Sequence, residues 1–530
     1  MSRPEKPDQE ERPSRRGDFD EVEERSAGER AEEVAPRQRM RQRIGLVAGV
    51  VLAVVVYLAM PDDVDHSARL TAATAVLMGL WWMTEAIPIP ATALLPLIIF
   101  PIFDSDVAVN DVGAAYGNSI IFLFMGGFLI ALAMQRWNLH RRIALVTVRA
   151  VGTKPTMVVA GFMIATGFLS MWVSNTATAV MMIPIGVSVL VLVLDIHNSA
   201  GPEGEEADAE TITEIVVKSN FGTALMLGIA YAASIGSLGT IIGTPPNTLL
   251  VGYLEEQGIT IGFLEWMIAG VPLAVIFLVI TWYILTHVMF KPEIDDIPGG
   301  RQLISDELTS LGSMSKGERR VGIIFGLAAL SWICVPLIWD DNPPISDTGI
   351  AITAAVLLFL LPSGVTPGVR LLDWETAVKL PWGVLLLFGG GLALSAQFDS
   401  SGLTDWIGEV AAGLDSIPVW LLVVAAAAAI IFLTEITSNT ATAATFLPVA
   451  GGVAMGMNLD PLLLTVPVAL AATCAFMLPV ATPPNAVAFG SGYVTIGQMV
   501  RGGVWLNLIG IVLITIATYT VFAWALGITL

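Results

Sequence analysis

The feature that most constrains this chain is a pair of polar, helix-breaking motifs, each occurring twice inside apolar runs of bilayer-crossing length. Ser174-Asn175-Thr176 lies in FLSMWVSNTATAVMMIP, and Ser438-Asn439-Thr440 lies in FLTEITSNTATAATFLP. Thr244-Pro245-Pro246-Asn247 follows the first and Thr482-Pro483-Pro484-Asn485 the second. Inside hydrocarbon every backbone polar group must be satisfied internally, so spanning segments are helices. Irregular backbone survives there only when buried in protein or lining a wet cavity. One Ser-Asn-Thr in a membrane helix reads as glue between helices, and one Pro-Pro as a kink. Two matched sets in the same order read as a binding site.

The 530 residues are 55% hydrophobic and 14% charged, far from a soluble composition, and apolar runs recur along the chain. The fold class is therefore an all-α polytopic membrane protein, with about 11 transmembrane helices plus two re-entrant hairpins. Cys334 and Cys474 both fall in apolar segments. They indicate neither a disulfide scaffold nor a metal site. A net charge of −20 offers no basic surface for nucleic acid.

Residues 1–44 are charged and nearly free of large apolar side chains, which predicts a disordered cytoplasmic tail. Arg39, Arg41 and Arg43 abut the first span and place the N-terminus inside a multi-pass plasma-membrane protein; the span count leaves the C-terminus outside. Residues 45–150 form the spans of the first half. Residues 151–290 hold a hairpin at 155–194 and a broken helix at 221–254, and 291–320 are a hydrophilic cytoplasmic loop. Residues 321–400 repeat the first block, and 401–530 repeat the second with a hairpin at 418–450 and a broken helix at 461–492.

The repeat has a register. Asn439 follows Asn175 at the same offset along the chain as Phe388 follows Phe124. The offset from Asn247 to Asn485 is shorter; the extra first-half loop around 195–219 accounts for most of the difference. An odd number of full crossings per half inverts the second half. Inverted repeats with broken helices at midplane point to a secondary transporter.

At a hairpin tip one short helix ends and another begins. Freed carbonyls can ligate a cation, and freed N–H groups can receive an anion. Oxygen ligands without a carboxylate suit sodium rather than zinc or copper. Two prolines interrupt the helical ladder and expose further carbonyls. Gly126, Gly127 and Gly389 to Gly391 read as close helix packing. Glu435, three residues before Ser438, has Met171 as its first-half counterpart, and it reads as a structural hydrogen-bond partner. Few titratable groups lie near the tips, which favours sodium over proton coupling. His66, His140, His197 and His287 lie in loops or at span ends.

WWMTEAIPIPATALLP (81–96), FLFMGGFLIALA (122–133), the paired Ser-Asn-Thr hairpins and the paired Thr-Pro-Pro segments together resemble the divalent anion/sodium symporter family, dicarboxylate type, over residues 45–528. The resemblance implies a homodimer and an elevator mechanism. In it, hairpins and broken helices move against a scaffold formed by the first spans of each half. It also implies substrate contacts from Ser174, Asn175, Thr176, Ser438, Asn439 and Thr440, with Thr244, Pro245, Thr482 and Pro483 beside them. One sodium site would comprise Ser170, Ser174, Asn175 and Gly243, and a second Thr434, Thr437, Asn439 and Ala481. Thr437 stands where the family often has a small residue. The expected activity is sodium-coupled import of C4-dicarboxylates such as succinate, malate or fumarate.

Citrate or sulfate symport, dicarboxylate exchange on the same fold, and carriage of arsenite, silicate or another anion remain alternatives. An intramembrane enzyme lacks support: there is no HExxH, no paired intramembrane aspartates and no nucleophile–base pair at a span centre. A membrane sensor would need an effector domain larger than the tail or the 291–320 loop.

Overall fold

The computed structural model describes residues 35–152, 154–199, 219–294, 300–339, 343–414 and 416–530. Among these the chain is helical apart from one isolated bridge between Pro362 and Arg370. Among the described residues seven helices are long and apolar enough to cross a membrane. The other apolar helices, of 10–17 residues, include hairpin arms and parts of broken spans, because proline and polar tips stop them early.

The first half begins with α1 (Pro36–Ala59) and α2 (His66–Thr84). Helix α1 starts inside the segment expected to be a tail, with Pro36 in its first turn, where a missing N–H costs nothing. Residues 1–34 lie outside the described residues. Two short helices follow α2, Ile89–Thr92 and Pro96–Phe103. Then come α3 (Ser119–Arg136), α4 (Leu139–Val151), the hairpin arms α5 (Pro155–Ser170) and α6 (Asn175–Ser199), and α7 (Asn220–Gly236). Two short 3-10 turns separate α7 from α8 (Pro245–Glu256), and α9 (Phe263–Tyr283) closes the half.

The second half repeats these parts. After α10 (Gly300–Ser310), α11 (Lys316–Ile338) and α12 (Asp347–Leu360) lead to α13 (Trp382–Ser400) and α14 (Leu403–Ala411). The hairpin arms are α15 (Val419–Thr434) and α16 (Asn439–Gly456), followed by α17 (Leu462–Thr473), α18 (Pro483–Gly490) and α19 (Ile496–Ala517). The register found in the sequence carries into the structure. The starts of α4 and α14, of α5 and α15, and of α6 and α16 are all separated by the offset that relates Asn175 to Asn439. Helices α9 and α19 both finish in a π-helical turn.

Helices α4, α10 and α14 are not evident in the sequence pattern. These helices are too short or too polar to read as spans. Leu139, Leu145 and Val148 on one face of α4 pack inward while Arg149 remains outside. Arg136 at the end of α3 and two arginines of α4 join the two halves: Arg136 pairs with Asp373 and donates to Thr376 at 2.6 Å, Arg141 pairs with Glu307 at 2.7 Å, and Arg142 pairs with Glu318. The predicted loop at 291–320 is thus part helix, anchored to the opposite half.

Helices α7 and α17 run through the most buried part of the molecule. The glycines of α3 and α13 serve close packing, as expected: a Cβ on Gly126 would meet Ala351 at 2.7 Å, and one on Gly390 would collide with the Ala93 carbonyl.

A cavity between two hairpin tips

Each hairpin turns abruptly. Helix α5 ends at Ser170 and α6 begins at Asn175; α15 ends at Thr434 and α16 begins at Asn439. Ser174 and Ser438 are the residues before the new helices, and their carbonyls accept the first helical bonds, from Thr178 N and Thr442 N, at 2.9 Å each. Serine is favoured at such a position because its side-chain oxygen can accept from first-turn N–H groups. Ser438 makes no side-chain cap, so first-turn N–H groups of α16 remain available to a ligand.

Both tips line one cavity of about 1270 Å³. Ser174, Asn175, Thr176, Gly243, Thr244 and Pro245 reach it from the first half. Thr437, Ser438, Asn439, Thr440, Ala481 and Pro483 reach it from the second. Three expected site residues stand behind the wall. Ser170 is buried and donates to the Ala233 carbonyl at 2.5 Å. Thr434 is buried and donates to Asn439 Oδ1 at 2.7 Å and to the Ala472 carbonyl at 3.0 Å. Thr482 Oγ1 accepts from Asn485 N at 3.3 Å. Ser170 and Thr434 occupy matching positions of the repeat. Thr437 is tied to the Leu433 carbonyl at 2.9 Å and to Thr442 at 2.7 Å.

The Thr-Pro-Pro-Asn motifs open helices rather than merely breaking them. Thr244 and Thr482 are extended, with φ of −145° and −140°, and the prolines fill the first turns of α8 and α18. The asparagines, absent from the expected site, hold the breaks in shape. Asn247 donates to the Thr240 carbonyl at 2.9 Å. Asn485 donates to Leu478 and Ala475 carbonyls at 3.1 and 3.2 Å. Leu478 follows Thr240 at the same offset as Asn485 follows Asn247, so the two clasps are equivalent. Their signal was in the repeated motif itself. Gly243 has its own reason: a Cβ there would collide with the Ser237 carbonyl.

The halves differ at Glu435. Its buried carboxylate accepts from the backbone N–H groups of Phe476, Met477 and Leu478 at 2.7–3.1 Å and from Asn507 Nδ2 at 2.7 Å. This is the structural role expected for it. In the first half, where Met171 stands, the Met171 carbonyl accepts from Thr240 Oγ1 instead.

The cavity wall also carries Arg37, Arg41, Glu85, His140 and Lys379. Arg41 pairs with Glu85 at 3.2 Å. Basic residues therefore belong to the cavity even though none is part of either tip. His140 Nδ1 donates to the Met134 carbonyl at 3.0 Å, and burial holds its pKa below the ordinary histidine value. The side chain of His197 lies outside the described residues.

The model of the sodium:sulfate symporter transmembrane region matches residues 40–528. The chain belongs to that family. The sodium-dependent dicarboxylate transporter SdcS of Staphylococcus saprophyticus is 43% identical over 494 residues, covering 92% of each chain. SdcS of Staphylococcus aureus strain USA300 is 43% identical over 493 residues, again 92% of each. Among solved structures, the YdaH transporter of Alcanivorax borkumensis aligns with a TM-score of 0.52 at 13% identity, over 93% of this chain and all of that one. That likeness concerns the fold alone. Membership of the symporter family makes this a multi-pass transporter and not an enzyme, with the two Ser-Asn-Thr hairpins inside the matched region.

Proposed function

We propose that this symporter-family protein is a sodium-coupled importer of divalent anions, above all C4-dicarboxylates such as succinate, malate and fumarate. One observation carries the reading: two hairpin tips, each opening a new helix, line a single cavity. A helix start carries partial positive charge and unpaired N–H groups. Two of them suit an anion with a carboxylate at each end. Ser174, Asn175 and Thr176 take one carboxylate; Ser438, Asn439 and Thr440 take the other; Thr244, Pro245, Thr482 and Pro483 complete the binding surface. The two SdcS relatives, sodium-dependent dicarboxylate transporters, support the same substrate class and ion.

Sodium binds in two equivalent places in this reading. One uses Ser170, Ser174, Asn175 and Gly243, and the other Thr434, Thr437, Asn439 and Ala481. Each combines a hairpin tip with the adjoining break, so cation binding and anion binding assemble the same backbone. The hairpins and broken helices, 151–290 and 401–530, move as the transport part of an elevator. The blocks 45–150 and 321–400 are its scaffold and the homodimer contact. The protein lies in the plasma membrane with its N-terminus in the cytoplasm and its C-terminus outside.

The test is radiolabelled succinate uptake into proteoliposomes, with an inward sodium gradient set against choline and against a proton gradient. Asn175→Ala and Asn439→Ala run alongside. Sodium-dependent uptake that both variants abolish is the expected result. Uptake that ignores sodium but needs internal dicarboxylate makes the protein an exchanger. Absence of succinate transport moves the substrate to citrate or sulfate.

A further inference from the structure

The two halves place equivalent tip residues in opposite surroundings. Trp172 and Ile436 occupy the same position of the two hairpins, each two residues before its Ser-Asn-Thr. Trp172 lies nearly parallel to Phe263 and Trp332, with interplanar angles of 20° and 14°, and meets the edge of Phe325 at 5.3 Å. Phe263 in turn stacks on Trp332 at 4.5 Å. Ile436 touches no such stack; it is 61% exposed and lines the open cavity. The breaks behave alike. Ile242 and Val480 each stand two residues before the threonine of a Thr-Pro-Pro-Asn motif. Ile242 is 7% exposed and packs on α3, where a Cβ on Gly127 would meet it at 3.0 Å. Val480 is 79% exposed in the cavity.

An apolar side chain of this size is costly to leave in water. Finding one such residue at the second tip and another at the second break, while Ile242 is buried and Trp172 is partly covered by its aromatic stack, is a pattern rather than scattered exposure. The Trp172 Nε1–H adds to it: the atom is buried and has no hydrogen-bond acceptor among the described residues. A buried donor without a partner weakens the packed arrangement, so the stack holds the tip without locking it.

We infer that Trp172 and Ile242 plug one side of the cavity in this conformation, and that Ile436 and Val480 plug the other side in the opposite one. The inference rests on the transport reading above. The two pairs exchange environments in each cycle. Trp172 is a positioning residue: its stack against Phe263, Phe325 and Trp332 holds the cavity open on the side of Arg37, Arg41 and Lys379. Weakening the stack shifts the population towards the opposite-facing state.

The experiment reads accessibility and does not need turnover. Cys334 is exposed and Cys474 buried, so Val480→Cys is placed in a Cys334→Ser background. The protein is probed in vesicles with a membrane-impermeant maleimide on the cavity side. Val480→Cys labels readily at rest, and Ile242→Cys does not. Adding Trp172→Ala lowers Val480→Cys labelling by about fivefold, the scale of a modest population shift, whereas Trp172→Phe keeps it. Phe325→Leu, which alters the other side of the contact, lowers it similarly and serves if Trp172→Ala fails to fold. Unchanged Val480→Cys labelling in both variants, or equal labelling of Ile242→Cys at rest, overturns the proposal. Loss of succinate uptake from the unmodified protein with this labelling pattern intact refutes the substrate reading and leaves the gate standing.

Discussion

The Thr434 hydroxyl donates to Asn439 Oδ1 at 2.7 Å, binding the last residue of one arm of the second hairpin to the first residue of the other. The same hydroxyl also lies 3.0 Å from the Ala472 carbonyl in the last turn of α17, next to the break. Thr434→Val keeps the shape and removes the oxygen. Loss of one such bond is worth about 1 kcal/mol, or roughly a fivefold change in binding. The apparent sodium affinity for succinate uptake is expected to fall by at least that factor. Thr434→Ser is expected to keep it. A sodium titration of uptake in both variants decides, and an unaltered curve for the valine form would remove Thr434 from the ion site.

Glu435 should matter for folding as much as for transport. Removing its carboxylate strands three backbone N–H groups and the Asn507 amide inside the protein. Each unsatisfied group costs about 1–3 kcal/mol. Glu435→Ala is therefore expected to lose several kcal/mol, about 3 or more, and to lower the unfolding temperature in detergent sharply. Glu435→Gln keeps one acceptor and should fall between. The comparison is made by thermal unfolding of purified protein, and an alanine variant as stable as the parent would contradict this account.

Helices α14 and α16 touch through glycine. A Cβ built on Gly456 would run into Gly408 Cα, whereas one built on Gly413 has open space. Gly456→Ala must push two backbones apart, and overpacking of this kind costs about 1–3 kcal/mol or more. Its yield of monodisperse protein should drop, while Gly413→Ala should leave yield intact. Size-exclusion profiles after solubilisation provide the check.

His140 supplies a pH dependence with a definite sign. Burial lowers its pKa in the folded state below the ordinary 6.5. As pH falls through 6.5 the unfolded chain takes up a proton that the folded chain does not, so stability declines. The decline stops once pH is below the folded-state value. Unfolding temperatures at pH 7.5 and 5.5 should differ in the parent and differ less in His140→Gln. Equal slopes would place the pH sensitivity elsewhere.

Much of this architecture was legible in the residues. The offset between Asn175 and Asn439 reappears as matching starts of α5 and α15 and of α6 and α16. That follows because apolar length and proline position dictate helices locally, whatever packs around them. The Asn247 and Asn485 clasps were visible as repeated letters, but their partners were not. The carbonyls they bind lie seven residues earlier in the chain, in turns that exist only once the helix has broken. Helices α4 and α14 escaped notice because their amphipathic faces bury only against neighbours supplied by the fold.

The sequence by itself determined that this is a helical membrane protein, that it is a repeat, and where the hairpin arms and broken helices must stop. These are properties of short stretches of chain in hydrocarbon, where an unsatisfied backbone costs too much to be tolerated. Only the tertiary structure decided which equivalent residues are alike and which are not. Ser170 and Thr434 both lie behind the cavity wall, whereas Trp172 is stacked and Ile436 stands open to the cavity. The repeat relates the two halves in sequence, but packing against other elements gives their tips different neighbours.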